Sequence, residues 1–199
     1  TDAGLTPYHA VRRSWPKLGP TATALVIGVG GLGHLCVQVL RATTAARVVA
    51  VDPRGSARDL ALECGADLAL APGDDLVAEV REATQGVGVD VVLDMVGSDE
   101  TLATGAACLR QLGDLTIVGL GGGTLPVSFF GVPYEASVQS TYWGNRRELV
   151  DVLDLGARGL LRSHTTLYTL ADAARAYRDL ATGTVSGRVV VVPNDGFRP

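Results

Sequence analysis

The stretch Ala24–Asp52 reads ALVIGVGGLGHLCVQVLRATTAARVVAVD. It is an apolar strand, a glycine-rich turn, an amphipathic helix and a second apolar strand that closes on a carboxylate. Gly28, Gly30 and Gly33 satisfy G-x-G-x-x-G, and Asp52 follows 19 residues after the last of them. Glycine-rich turns are common, but one set between a buried strand and a helix, with an acid at this distance, is the fingerprint of a dinucleotide-binding unit. Gly28 suits a tight turn off the strand. Gly30 leaves room for a pyrophosphate to approach the backbone, and Gly33 lets the helix lie close to the strand. The amides of Gly31, Leu32 and Gly33 open the helix without intrahelical acceptors, and the helix dipole favours an anion there. Asp52 can accept hydrogen bonds from both hydroxyls of an adenosine ribose and repels a 2′-phosphate, so the pattern favours NAD over NADP. A sheet whose first turn binds nothing, or binds another nucleotide such as an adenosyl cofactor, is the alternative.

Outward from this stretch, strands and helices alternate. Helices are expected at Ser56–Gly65, Asp75–Thr84 and Glu100–Leu112. Strands are expected at Arg47–Asp52, Asp67–Ala71, Val89–Val96 and Asp114–Leu120. Apolar strands joined by helical crossovers imply an α/β protein, a doubly wound parallel sheet covered on both faces, the Rossmann fold. Ligands in such sheets sit beyond the carboxyl ends of the strands. Val96–Ser98 and Gly119–Gly121 fall there, and they fit either plain turn chemistry or loops that border the far half of a dinucleotide. After Gly123 an extended aromatic segment (Leu125–Pro133) precedes a strand at Ala136–Trp143. Helices at Arg146–Leu161 and Ala171–Ala181 and a closing strand at Arg188–Val192 complete the chain.

Composition bounds the rest. At 199 residues and 47% hydrophobic, the chain can bury a full core. No apolar run is long enough to span a membrane, no signal-peptide pattern opens the chain, and a net charge of −4 gives no reason to expect nucleic acid. Cys36, Cys64 and Cys108 are widely spaced within expected helices and read as small buried hydrophobes of a reducing cytoplasm. The chain opens at Thr1, and Met95 is its one methionine, so a processed or partial sequence is expected.

Several segments in this order resemble the coenzyme-binding part of zinc-containing alcohol dehydrogenases of the medium-chain dehydrogenase/reductase superfamily, and within it the bacterial secondary-alcohol branch. They are TDAGLTPYHAV at Thr1–Val11, VIGVGGLGHLCVQ at Val26–Gln38, LECGAD at Leu62–Asp67, VDVVLDMVG at Val89–Gly97, STYWGNRREL at Ser140–Leu149 and SGRVVVVP at Ser186–Pro193. The resemblance implies a division into a leading helix and connection (1–20), an NAD-binding domain (21–145), and C-terminal helices with a strand returning toward a missing N-terminal catalytic domain (146–199). It implies that Val96, Gly119 and Leu120 border the nicotinamide, and that Tyr142 and Trp143 border the substrate cleft. Arg188 would reach the pyrophosphate, and Asp2 would be the third protein ligand of a catalytic zinc. From the residues alone, Asp2 is a helix N-cap-like residue, Arg188 a solvated strand-edge arginine, and the two aromatics packing on a half-buried strand.

The implied chemistry of the complete enzyme is hydride transfer between an alcohol and NAD, with zinc polarising the alcohol oxygen. The implied assembly is a homodimer or a tetramer of dimers, through pairing of the strand around Ser137–Tyr142. Two features depart from the family pattern. Ala57 stands where NAD-using members often carry a basic residue, with Arg54 and Arg58 flanking it, which leaves room for dual coenzyme use. The cysteine and histidine ligands and the structural zinc motif of the family's first half do not occur in this sequence, so the chain is expected to hold coenzyme without turning over alcohol. A zinc-free quinone or enoyl reductase and a non-catalytic NAD-binding module are the competing functions. His34 reads as a packed helix residue, and His9 and His164 as structural or solvated.

Overall fold

The computed structural model describes residues 2–193. Six strands form one all-parallel sheet: β1 (Thr23–Ile27), β2 (Arg47–Val51), β3 (Leu68–Leu70), β4 (Val89–Asp94), β5 (Leu109–Ile117) and β6 (Ser137–Ser140). Their order is β3-β2-β1-β4-β5-β6, with β1 in register against β2 on one side and β4 on the other. The chain winds outward in one direction from β1 and then in the other from β4. The crevice between these two strands, at their carboxyl ends, is therefore the topological switch point.

The sheet is covered on both faces, which is why its central strands are apolar without interruption. Side chains alternate between faces along each strand. Ala24 and Val26 of β1 join Val48 and Ala50 of β2 in one core, with Tyr8, Val11, Val37, Leu40, Ala61 and Val152. Those partners come from α1 (Asp2–Arg13), α2 (Gly33–Thr43), α3 (Gly55–Glu63) and α6 (Arg146–Ala157). Leu25, Ile27, Val49 and Val51 point to the opposite core, against Leu76 and Val80 of α4 (Leu76–Ala83) and Leu102 and Ala106 of α5 (Asp99–Cys108). The leading helix is fastened by buried polar contacts as well. Ser14 Oγ donates to Asp114 at 2.9 Å, and the Lys17 ammonium pairs with the same carboxylate. No described helix is long and apolar enough to cross a membrane.

The expected elements are present, with four corrections, the first being that the helix expected over Arg146–Leu161 stops at Ala157, where Gly159 turns the chain at φ +72°. The fifth helix does not run to Leu112: it stops at Cys108, and Leu109 is already extended (φ −70°, ψ 144°). Residues 110–113 instead bulge out of β5, because Val89 opposes Leu109 while Val91 opposes Asp114. Arg110 is held there by Asp90 at 2.7 Å, and the Leu112 amide, which a continuing helix would have used on the Cys108 carbonyl, donates to the Tyr134 carbonyl. The strand expected over Ala136–Trp143 is confined to Ser137–Ser140, which leaves Tyr142 and Trp143 in the loop before α6. Finally, the closing strand β8 (Arg188–Val192) does not stand alone. It pairs in parallel with β7 (Thr165–Thr169), a strand not anticipated, across α7 (Ala173–Ala181).

Candidate functional site

The glycine turn is built as its spacing requires. Gly28 adopts φ +87°, and a Cβ there would come within 2.6 Å of the Val96 side chain. A Cβ on Gly33 would overlap the Gly28 carbonyl oxygen, so only glycine lets α2 start this close to the end of β1. At Gly30, by contrast, the nearest atom to a Cβ would be an Arg54 nitrogen at 3.9 Å. Leu32 sits at the N-cap of α2 and supplies no side-chain cap. The helix thus presents its first amides, with their share of the dipole, to the crevice.

Asp52 follows β2 and is 3% exposed. Its Oδ2 accepts from the Val29 amide at 2.8 Å and its Oδ1 from the Arg54 amide at 3.0 Å, so the acid is clamped to the glycine turn. The Arg54 guanidinium grips the same carboxylate with two bonds, Nε to Oδ1 at 3.0 Å and Nη2 to Oδ2 at 3.1 Å. Its Nη1 reaches the Val185 carbonyl. Burial alone would raise the Asp52 carboxyl, but the Arg54 hydrogen bonds and charge and the Val29 amide outweigh it and hold the group below the usual aspartate value. Arg58 does not touch the carboxylate; it donates to the Asp52 and Pro53 carbonyls. The sequence flagged Arg54 as a neighbour of Asp52 and missed this clasp, whose only signal was a D-x-R spacing.

On the other side of the crevice, Asp94 ends β4 fully buried. Its Oδ1 accepts from the Val96 and Gly97 amides at 2.8 and 3.0 Å, and its Oδ2 from the Thr101 hydroxyl at 2.7 Å. Ser98 and Thr101 close a capping box on α5. The loop after β5 is laced onto this one, Gly121 N to Val96 O at 2.9 Å and Gly123 N to Gly97 O at 2.8 Å. Val96, Gly119 and Leu120 therefore lie on two hydrogen-bonded loops at the same edge, with Leu120 91% exposed. Asp94 escaped notice in the sequence, although an acid closing an apolar strand (VDVVLD) was the available signal.

Tyr142 and Trp143 follow β6 at this carboxyl edge, since Ser140 pairs with Ile117. They are exposed rather than packed on a strand, and their rings stack at 5.3 Å. Trp143 has φ +51°, an uncommon conformation for a large side chain. Gly144 behind it abuts Leu5 of α1 and Glu148 of α6. Asn145 and Glu148 cap α6 reciprocally. Glu148 is also bonded to His9 Nδ1 at 2.9 Å, which gives His9 a structural place on α1. Burial would raise Glu148, yet the Asn145 amide, His9 and Arg12 hold it below its ordinary value.

Arg188 begins β8 and lies against the glycine turn: a Cβ on Gly31 would come within 2.9 Å of its Cδ and 3.2 Å of its Nη1. Among the described residues no carboxylate is within ion-pair distance of it. Asp2 and Arg188 line one groove between α1, α6 and β8, together with Leu35, Val152 and Thr165. Asp2 is exposed, and among the described residues no group of three or more His, Cys, Asp or Glu side chains converges as a metal site. Cys36 and Cys108 are fully buried, with burial pushing the Cys108 thiol up to about 11, so neither is poised as a ligand or nucleophile.

Comparison with known proteins agrees with this geometry. The profile of a family described as zinc-binding dehydrogenases matches residues 31–158. An NAD-dependent alcohol dehydrogenase of Sulfolobus acidocaldarius is 33% identical over 200 residues, covering 95% of this chain and 55% of the relative. A D-arabinose 1-dehydrogenase (NADP(+)) of Saccharolobus solfataricus is 30% identical, covering 96% of the chain and 56% of the relative. The crystal structure of the alcohol dehydrogenase from Aeropyrum pernix superposes with a TM-score of 0.90 at 36% identity, over 96% of this chain and 56% of that one. The chain thus spans just over half the length of the relatives it matches. It belongs to the zinc-binding dehydrogenase family.

Proposed function

We propose that this chain is the coenzyme-holding portion of an NAD-dependent alcohol dehydrogenase that interconverts alcohols, secondary ones foremost, with ketones or aldehydes. The observation that carries the proposal is the buried Asp52 carboxylate hydrogen-bonded to the amide of Val29 inside the glycine turn. Asp52 would hold the ribose diol, and Gly30, Gly31, Leu32 and Gly33, at the uncapped helix start, would hold the pyrophosphate together with Arg188. Val96, Gly119 and Leu120 would border the nicotinamide half of the dinucleotide, and Tyr142 and Trp143 the substrate. Bound NAD supplies the hydride acceptor at its nicotinamide ring. The chain's own residues bind the coenzyme, orient it and fix its distance from the reacting carbon.

The described residues do not by themselves fit a zinc ion. Catalytic zinc takes about three protein ligands, and Asp2 offers one exposed carboxylate. Asp2 is proposed as a single contributor to a centre whose other ligands lie outside this chain. The alternative of a zinc-free reductase is decided by metal analysis of the complete protein.

Assembly into a homodimer, or a tetramer of dimers, is proposed through β6. It is the last strand of the sheet, paired on one side by β5, and it follows exposed Val127, Phe129 and Phe130.

The Arg54 clasp supports a second reading in which a phosphate-tailed coenzyme is also accepted. A ribose diol competes with Arg54 for Asp52, and the displaced guanidinium would sit beside a 2′-phosphate. The test is calorimetric titration with NADH and NADPH. NADH should bind at least tenfold more tightly. Asp52→Asn should weaken NADH about tenfold or more, the scale of a hydrogen bond to a charged group. Arg54→Ala should weaken NADPH selectively. Saturable binding of neither nucleotide by a folded chain would refute the coenzyme assignment.

A further inference from the structure

We propose that His34 is a positioning residue for pyrophosphate recognition, a rigid bridge that sets Arg188 over the glycine turn. The inference rests on the reading that Arg188 meets the pyrophosphate. His34 occupies the first turn of α2 and is completely buried. Its Nδ1 lies 2.8 Å from the Gly30 carbonyl oxygen. A carbonyl only accepts, so Nδ1 carries the proton. Nε2 is then an acceptor, and the His164 amide donates to it at 3.1 Å. One ring thereby joins the fingerprint turn to a segment 130 residues away in the chain.

That segment leads directly to the arginine. The His164 carbonyl accepts from the Arg188 amide at 2.8 Å. Gly187 is pressed against the same carbonyl so closely that no side chain fits there. Arg188 in turn lies on Gly31. The path from Gly30 through His34, His164 and Arg188 back to Gly31 is a closed loop of contacts. It fixes the Arg188 backbone, and with it the root of the side chain, relative to the helix amides that would share the anion with the guanidinium.

Histidine suits the post because its ring carries a donor and an acceptor on opposite edges of a rigid plane. Burial keeps it neutral, which preserves the acceptor. One helical turn later, Gln38 provides a second fastening, Nε2 to the Arg162 carbonyl at 3.0 Å and the Arg162 amide to Oε1 at 2.7 Å. The segment therefore stays docked without His34, and what His34 adds is the placement of Arg188.

The test is a double-mutant cycle in NADH affinity, measured by calorimetry on the 199-residue chain with thermal melts as the folding control. His34→Asn retains a donor toward Gly30 and loses reach toward His164, whereas His34→Gln places an acceptor toward His164. The expected result is about a three- to tenfold weakening for His34→Asn, the scale of one lost hydrogen bond, with most of it restored by His34→Gln. Combined with Arg188→Gln, His34→Asn should add little. An unchanged affinity for His34→Asn overturns the inference, as do effects that multiply independently of Arg188→Gln. An Arg188→Gln variant that binds NADH as tightly as the parent instead removes the pyrophosphate assignment itself, and the inference with it. Should His34→Asn fail to fold, nitrogen NMR of the parent's imidazole decides: the Nδ1–H tautomer supports the bridge and the Nε2–H tautomer overturns it.

Discussion

At one end of the carboxyl edge, Asp52 is 3% exposed and receives four hydrogen bonds, two from amides and two from Arg54. At the other end, Leu120, Tyr142 and Trp143 are 91%, 73% and 56% exposed. The first region is finished apart from one exchange, the displacement of Arg54 that a ribose diol would require on a carboxylate otherwise held by the Val29 and Arg54 amides. The second has a finished floor, the laced loops anchored by Asp94, and walls that stand open. The difference separates an end whose polar groups are already paired within this chain from an end whose side chains stand exposed. Under the proposed function, the first end would hold the adenosine of the coenzyme and the second would face the substrate.

The comparison breaks most readily at Gly33. A branched side chain there drives α2 away from the Gly28 carbonyl and misaligns the helix amides with Asp52. Gly33→Val should cost about 3 kcal/mol of stability through overpacking. That corresponds to a melting temperature lower by about 6–12 °C for a chain of this size. Saturable NADH binding should vanish with it. A variant that melts like the parent and binds NADH would mean that the turn is not the finished site described above.

Acid sharpens the same contrast. Burial first, then the His164 and Arg188 charges, holds His34 below its ordinary 6.5, against the opposing Gly30 bond. Between that lowered value and about 6.5 the unfolded chain binds more protons than the folded one. Stability from this group is thus complete above about pH 6.5 and is lost as the pH falls through the folded value. Asp52 and Glu148, depressed from 3.8 and 4.5, keep their contributions until lower pH and lose them as it falls through their folded values. Urea midpoints should be flat above neutrality and then decline in two stages, and His34→Gln should remove the first stage alone. A parent midpoint that stays flat between about pH 7.5 and 5 would contradict the buried neutral imidazole.

What the sequence disclosed follows the same divide. β1, the glycine turn, α2 and β2 were legible to within a residue or two, because local periodicity, turn chemistry and burial all point one way over Ala24–Asp52. Leu109–Gly113 was not legible: its apolar spacing continues that of α5, and the bulge is decided by Asp90 and Tyr134, which lie far away in sequence. β7 was missed because TTLYT is short and half exposed, so its alternation carries little contrast. His34 could be seen to be buried, but its partner is 130 residues away and is a backbone amide, which leaves no mark on the sequence. Asp2, Arg188, Tyr142 and Trp143 were singled out only through family resemblance. Their surroundings came from the fold, which corrected the two aromatics from strand to loop.

The smallest effect expected is at the open end. Trp143 stacks on Tyr142 in front of a pinned Gly144, at a φ of +51° that is strained for tryptophan and for alanine alike. Trp143→Ala therefore exchanges one strained residue for another and removes a surface ring, a change of within about 0.5 kcal/mol in stability. NADH affinity of this chain should stay within about twofold, because the adenosine end supplies the binding. In the complete protein the same substitution should raise substrate KM if the ring borders the cleft as proposed. A tenfold loss of NADH affinity in the 199-residue chain would show that the aromatic pair already reaches the coenzyme. The open wall would then belong to the finished site, and the division between the two ends would lie farther along the sheet than the exposure of these side chains indicates.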